Sequence, residues 1–225
     1  MKRLALVTGV SSGIGAAIAD DLLARGWRVT GLSRTAVCKG SPDFTPVSVD
    51  LLDAGAVQLA VDALPQVDAI IHAAGVMGVA TLGELDPMLS ERMWRLHIHA
   101  AEIIVNALAP RLPQYGRIVL IGSRTANGAA GRSQYVATKS AMYGMVRSWA
   151  AELIGRGITA NIVAPGATDT PMLKIPGREI SPPKLPPMGR FIQPGEVAAT
   201  INFLLSAEAS AITGQELVIC GGSSL

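Results

Sequence analysis

Short apolar runs, each closed by glycine or a polar turn and followed by an amphipathic stretch, recur along the whole chain. Residues 4–8 form the first run, a glycine-rich turn follows, and 14–25 carries a helical period. Further strands are predicted at 28–32, 47–49, 69–73, 117–121, 159–163 and 216–219. Helices are predicted at 55–63, 86–108, 133–155 and 194–205. The strand runs do not alternate with polar residues, as expected for strands buried on both faces of a parallel sheet. Asp86 is placed to cap the third helix, with Pro87 where a missing N–H costs nothing, and Pro110 stops it. The helix from 133 sets Met142, Val146, Trp149, Ala150 and Leu153 near helical spacing. Strand and helix alternate without linker or repeat, so the chain reads as one α/β domain over residues 1–225 with a mostly parallel sheet. Residues 166–189 break the pattern. Pro171, Pro176, Pro182, Pro183, Pro186 and Pro187 make this stretch an irregular loop or lid, too long for a simple connector.

Composition narrows the function. Of 225 residues, 49% are hydrophobic and 16% charged, which excludes a disordered chain. The net charge of +2 is spread along the sequence, without the basic stripe of a nucleic-acid binder. No apolar run reaches the roughly 18 to 20 residues of a membrane span, and the run after Lys2 and Arg3 ends too early for a signal peptide. Two cysteines, Cys38 and Cys220, fit a reducing cytoplasm rather than a disulfide framework. So apolar a chain is expected to bury some surface against copies of itself.

The first turn, Thr8-Gly9-Val10-Ser11-Ser12-Gly13-Ile14-Gly15, joins a strand to a helix. Glycines let a pyrophosphate approach the backbone, and the helix offers it free N–H groups and a positive dipole end. A dinucleotide that lacks a 2′-phosphate usually meets an acid about 20 residues past this loop. Here the second strand ends in Leu32-Ser33-Arg34-Thr35, with no acid. Arg34 can pair with a 2′-phosphate and Ser33 can donate to it, so NADP(H) is favoured, with NAD(H) as the alternative. The alternative is that Arg34 is only a solvated surface residue. Asp50, after the third strand, is placed either to meet the adenine amino group or to cap a helix.

Ser123 follows the fifth strand, and Tyr135 and Lys139 lie one turn apart on the next helix. A free phenol titrates near 10. A neighbouring ammonium is expected to lower that value and suit Tyr135 to exchange a proton with a substrate alcohol or carbonyl oxygen. Ser123 would hold the same oxygen, and Lys139 the ribose hydroxyls. Tyr-x-x-x-Lys alone is weak evidence and fits an ordinary helix pair.

Together, Thr8 to Gly15, Ser123, Tyr135 with Lys139, and Pro165-Gly166 after the sixth strand resemble the short-chain dehydrogenase/reductase family. Ile212-Thr213-Gly214-Gln215 and Gly221-Gly222 look like its closing segment, so the resemblance spans nearly the whole chain. The nearest flavour is the soluble branch containing 3-oxoacyl carrier-protein reductases. The resemblance implies a Rossmann fold, a doubly wound sheet of seven parallel strands with helices on both faces. It also implies an NAD(P)-dependent alcohol–ketone oxidoreductase acting on a small molecule, assembled as a homotetramer or homodimer. The helices after Asp86 and after Ser133 are the interface candidates. The family's proton donor maps to Tyr135, its positioning serine to Ser123 and its lysine to Lys139. The resemblance adds Leu51, Ala74, Gly75, Pro165, Gly166, Thr168 and Thr170 to the cofactor-binding residues, with no metal.

Two departures stand out. Asn-Ala-Gly, common in the family after the fourth strand, is Ala73-Ala74-Gly75 here, a loss expected to be structural. The family's asparagine in the long helix before the fifth strand aligns with His97, since Asn106 lies too far along. His97 reads equally as a substitute in a proton relay, with an unperturbed pKa near 6.5, or as a satisfied helix histidine. Arg124, Asn127 and Arg132 face solvent or an anionic substrate, solvent being the plainer expectation. The lid offers Met172, Leu173, Ile175, Leu185 and Met188 as an apolar wall, with Lys174, Arg178 and Lys184 interspersed; Phe191 fits a core position as well.

A nucleotide-sensing or regulatory protein without chemistry is the rival reading, and intact Ser123, Tyr135 and Lys139 weigh against it. A dehydratase or epimerase on this fold would hold NAD without consuming it, but such relatives are typically longer.

Overall fold

The computed structural model describes residues 2–175 and 178–225. Pro176, counted above among the lid prolines, lies outside them. The elements run β1 (Leu4–Thr8), α1 (Gly13–Ala24), β2 (Arg28–Ser33), β3 (Phe44–Ser48), α2 (Ala54–Asp62) and β4 (Ala69–His72). Then come α3 (Pro87–Trp94), α4 (Ala100–Leu108), β5 (Arg117–Ile121), α5 (Ser133–Leu153), β6 (Thr159–Pro165), α6 (Pro194–Leu204) and β7 (Glu216–Ile219). All seven strands pair in parallel, in the order β3-β2-β1-β4-β5-β6-β7.

Each central strand feeds two cores by its period of two. Leu4 and Leu6, Ile70, Ile118 and Leu120, and Ile162 point to the face covered by α2, α4 and α5. Ala5 and Val7, Ile71, Val119 and Ile121, and Val163 point to the face covered by α1 and α6. Each large aliphatic side chain buried this way contributes about 1.5–3 kcal/mol. Burial on both faces is why these strands read as continuous apolar runs.

Two elements differ from the sequence expectation. The third strand is Phe44–Ser48, three residues upstream of 47–49 at its start, and contains Pro46. It is the edge strand next to β2, where a missing N–H is tolerated. The helix expected as one piece over 86–108 is interrupted by a π-type turn at Arg95–His99. Such one-residue insertions are set by tertiary contacts and often mark functional positions. His97 lies inside this one and is fully buried.

The strand order reverses between β1 and β4. The connections after these two strands run to opposite faces and leave a crevice at their C-terminal ends.

Candidate active site

A cleft of about 890 Å³ opens at this crevice. Every residue assigned above to catalysis or cofactor binding lines it, from Gly9, Ser11, Ser12, Gly13, Ile14 and Gly15 to Thr168 and Thr170.

At one end stands the glycine loop. Gly9 has φ +75°, and a Cβ there would lie 2.9 Å from the Ala74 backbone nitrogen. A Cβ on Gly15 would lie 2.3 Å from the Gly9 carbonyl oxygen, so α1 presses against the end of β1. Ser12 precedes α1 in extended geometry, and its side chain caps nothing. The first-turn N–H groups of α1 therefore point, without a side-chain acceptor from Ser12, into a cradle that only glycine leaves open. That cradle fits a dinucleotide pyrophosphate.

Farther along, Ser33 spends its hydroxyl proton on the Thr35 carbonyl at 2.7 Å, whereas Arg34 is exposed and lines the cleft. Asp50 accepts from the Leu52 N–H at 3.0 Å, and Asp53 is the residue that caps α2. Asp50 thus braces its own turn while still facing the cleft.

The other end carries the Ser–Tyr–Lys group. Ser123 ends the turn after β5, and its Oγ accepts from the Thr125 N–H at 3.2 Å. Tyr135 and Lys139 lie on the buried stripe of α5 with Thr138, Met142 and Val146. Lys139 Nζ donates to the Ile121 carbonyl at 2.7 Å and sits 5.9 Å from the Tyr135 ring centre. Burial lowers the Lys139 pKa to about 7.

Tyr135 departs from the expectation that its ammonium neighbour would pull its pKa down. Burial raises it above the usual 10, and this outweighs the lowering by Ser123, Arg132 and Arg178. Desolvation disfavours the phenolate more strongly than the nearby charges favour it. In this state Tyr135 is a protonated phenol.

His97 engages both ring nitrogens. Nε2 accepts from the Val76 N–H at 3.1 Å, so the proton is on Nδ1, which donates to Thr138 Oγ1 at 2.8 Å. Thr138 in turn donates to the Tyr135 carbonyl at 2.9 Å. The imidazole stands edge-to-face against the Tyr135 ring, with centres 5.8 Å apart. Burial, then the Lys139 and His72 charges, hold its pKa well below 6.5. These are the bonds of a neutral histidine that fixes the first turn of α5 to the loop after β4.

His72, one residue before the Ala73 that stands in place of the family's asparagine, braces the neighbouring strands. Its Nε2–H donates to the Leu96 carbonyl at 3.0 Å, leaving Nδ1 to accept the Thr8 hydroxyl proton at 3.1 Å. Thr8 Oγ1 then accepts the N–H groups of Ala73 and Ala74, each at 3.0 Å. One histidine thereby ties β1, β4 and the π-type turn together.

Burial first, and the Lys139 charge second, lower the His72 pKa to about 4. The folded value lies below the unfolded one near 6.5, so this stability is present above pH 6.5 and is lost as pH falls towards 4. The loss amounts to roughly 3 kcal/mol. Urea midpoints are expected to fall more steeply from pH 7 to pH 4 in the wild type than in His72→Asn, whose amide does not titrate. Parallel profiles would mean that the native His72 takes up a proton freely.

Of the loop residues left open by the sequence, Arg124 and Arg132 line the cleft, whereas Asn127 is exposed outside it. Among the lid residues, Met172, Leu173 and Leu185 line it with Arg178 and Lys184; Lys174, Ile175, Met188 and Phe191 do not. Met188 instead packs against Gly221.

Comparison with known proteins agrees with this geometry. A family model described as enoyl-(acyl carrier protein) reductase matches residues 9–224. The chain belongs to the short-chain dehydrogenase/reductase family. It is 32% identical over 235 residues to the 3-oxoacyl-[acyl-carrier-protein] reductase MabA of Mycobacterium tuberculosis, covering 100% of this chain and 94% of that protein. It is 31% identical to the uncharacterized oxidoreductase YmfI of Bacillus subtilis, with 99% of each chain covered. Among solved structures it is similar to a blue fluorescent protein from a metagenomic library in complex with NADPH, at 30% identity and a TM-score of 0.87. That match covers 99% of this chain and 98% of the other. As a member of this family the chain is an oxidoreductase. Among the described residues, no helix is long and apolar enough to cross a membrane.

Proposed function

We propose that this short-chain dehydrogenase/reductase exchanges hydride between NADP(H) and a secondary alcohol or its ketone, or an aldehyde, with Tyr135 as the acid–base group. The observation that carries the reading is the placement of Ser123, Tyr135 and Lys139 in the same cleft as the glycine cradle, with Tyr135 buried and protonated. The bound nicotinamide supplies or accepts the hydride. In the reduction direction Ser123 orients the substrate oxygen, and Tyr135 gives that oxygen its proton. Arg132 and Arg178 stabilise the phenolate left behind. Lys139 holds ribose hydroxyls and, with a pKa near neutrality, can return a proton to Tyr135. His97 is a positioning residue: through Thr138 it sets the height of Tyr135.

The test is loss of the near-ultraviolet absorbance of NADPH against a panel of ketones and aldehydes. Consumption with at least one carbonyl compound is expected. NADPH that binds but is never consumed would favour a sensing protein.

The cofactor preference rests on Arg34, an exposed guanidinium lining the cleft just after β2. Arg34→Ala is expected to weaken NADPH about tenfold relative to NADH, the value of a charge-assisted contact. Titration by nicotinamide fluorescence measures both. Equal weakening of the two would place the 2′-phosphate elsewhere.

A further inference from the structure

The cleft is asymmetric in charge. Among its described lining residues the one carboxylate is Asp50, at the β3 end of the sheet. Arg124, Arg132, Arg178 and Lys184 line the cleft as well, and Arg132 and Arg178 are near enough to Tyr135 to act on its charge. None of these four has a carboxylate within 4.0 Å among the described residues.

The arginines are held by neutral groups. Arg178 is 7% exposed; its Nη1 donates to the Met172 carbonyl at 3.0 Å, and its buried Nε has no partner among the described residues. Arg132 reaches across to the lid, donating to Ser181 Oγ at 2.8 Å and the Ser181 carbonyl at 3.0 Å. Arg124 donates to the Ser223 carbonyl at 3.1 Å, and its Nε is buried without a partner among the described residues. Arg132 and Arg178 repel one another, and both are attracted by an ionised Tyr135 oxygen.

Buried guanidinium groups are ordinarily paired, because desolvation is costly and like charges add to it. Here Arg178 is buried and Arg132 half-buried, and both lie close enough to the Tyr135 oxygen to feel its charge. The pyrophosphate cradle and Arg34 lie at the other end of the cleft, so the cofactor's phosphates do not account for them. A planar fork of donors matches a carboxylate in two-point contact.

We propose that the substrate is a small oxo acid or hydroxy acid, whose free carboxylate is gripped by Arg178 and Arg132 a few bonds from the carbon that changes oxidation state. This rests on the oxidoreductase reading above and names its substrate class. On reduction the carbonyl carbon takes a hydride, its oxygen takes the Tyr135 proton, and the nicotinamide is oxidised; the carboxylate is unchanged. The acid differs from a carrier-protein thioester, which is neutral at that position.

The experiment compares 2-oxobutanoate, 3-oxobutanoate and 4-oxopentanoate with their methyl esters, in NADPH consumption and in calorimetric binding to the protein saturated with NADP⁺. For at least one pair the acid is expected to exceed the ester about tenfold or more in kcat/KM, as a charge-assisted contact implies. Arg178→Met should remove that advantage by raising KM for the acid far more than for the ester, while the lost support of the Tyr135 phenolate lowers kcat for both alike; Arg178→Lys should retain part of the advantage. Turnover of esters as good as that of acids, or an acid preference that survives in Arg178→Met, overturns the proposal and leaves the oxidoreductase reading intact. Acids that bind in the wild type but not in Arg178→Met, without NADPH consumption, support the anion site and contradict the hydride chemistry. Absence of both binding and turnover for every acid overturns the site. Should Arg178→Met fail to fold, the wild-type preference between acid and ester decides.

Discussion

Replacing Tyr135 by Phe is expected to cut turnover about 100- to 10,000-fold, the range that a positioned acid–base group contributes. The substitution removes one oxygen. The ring keeps its edge-to-face contact with His97, and Thr138 still donates to the backbone carbonyl of residue 135. Folding and NADPH affinity should therefore be unchanged, and the loss should fall on kcat. Burial already holds this phenol above its usual pKa, so the wild type presents a proton at neutral pH without help from the medium. Its reduction rate should not drop between pH 7 and 8 through loss of the Tyr135 proton. Steady-state kinetics on both proteins with one carbonyl substrate checks the prediction, and comparable kcat values would remove Tyr135 from the proton transfer.

Gly15→Ala is expected to act at the other end of the cleft, on binding. The new methyl would start 2.3 Å from the Gly9 carbonyl oxygen and 2.7 Å from its carbon. Both are backbone atoms, and Gly9 is itself pinned by its N–H bond to the Leu32 carbonyl at 2.8 Å and by close contact with Ala74. No flexible side chain can yield, so α1 must move away from β1 and the cradle opens. Overpacking of this kind costs about 1–3 kcal/mol in stability. With the cradle displaced, NADPH affinity should fall about 30-fold or more, each 1.4 kcal/mol being a factor of ten. A fluorescence titration and a thermal melt report the two effects. Affinity within twofold of the wild type would mean that the loop does not hold the pyrophosphate.

Sheet, glycine loop and the Ser–Tyr–Lys group were legible because each leaves a local pattern. An apolar run marks a strand buried on both faces, and Tyr135 and Lys139 are one turn apart. What escaped depends on contacts between distant segments. Pro46 disguised β3, since proline is admitted there only because the strand is at the edge. The π-type turn at Arg95–His99 adds one residue to a helix whose apolar period barely registers it. His72 looked like the end of a strand, and its role appears only when Thr8 and Leu96 are brought beside it. The Tyr135 pKa of the cofactor-free chain differs from the sequence expectation for a related reason: the sequence places an ammonium nearby but does not disclose how deeply both groups are buried. Arg132 likewise reads as a solvated loop residue until the lid folds over it through Ser181. Assembly into homotetramers or homodimers, which the family resemblance implies through α3–α4 and α5, is a proposal that light scattering on the purified chain would check.

The proposed reaction is direct hydride exchange between the nicotinamide and the substrate carbon, with Tyr135 supplying the proton. Incubation of the wild type with NADPH deuterated at the transferring position and a carbonyl substrate tests it most directly. An alcohol carrying one deuterium on the carbinol carbon is expected, formed in step with oxidised cofactor, and almost none with Tyr135→Phe. Product without deuterium, or product formed while the NADPH remains intact, would contradict it.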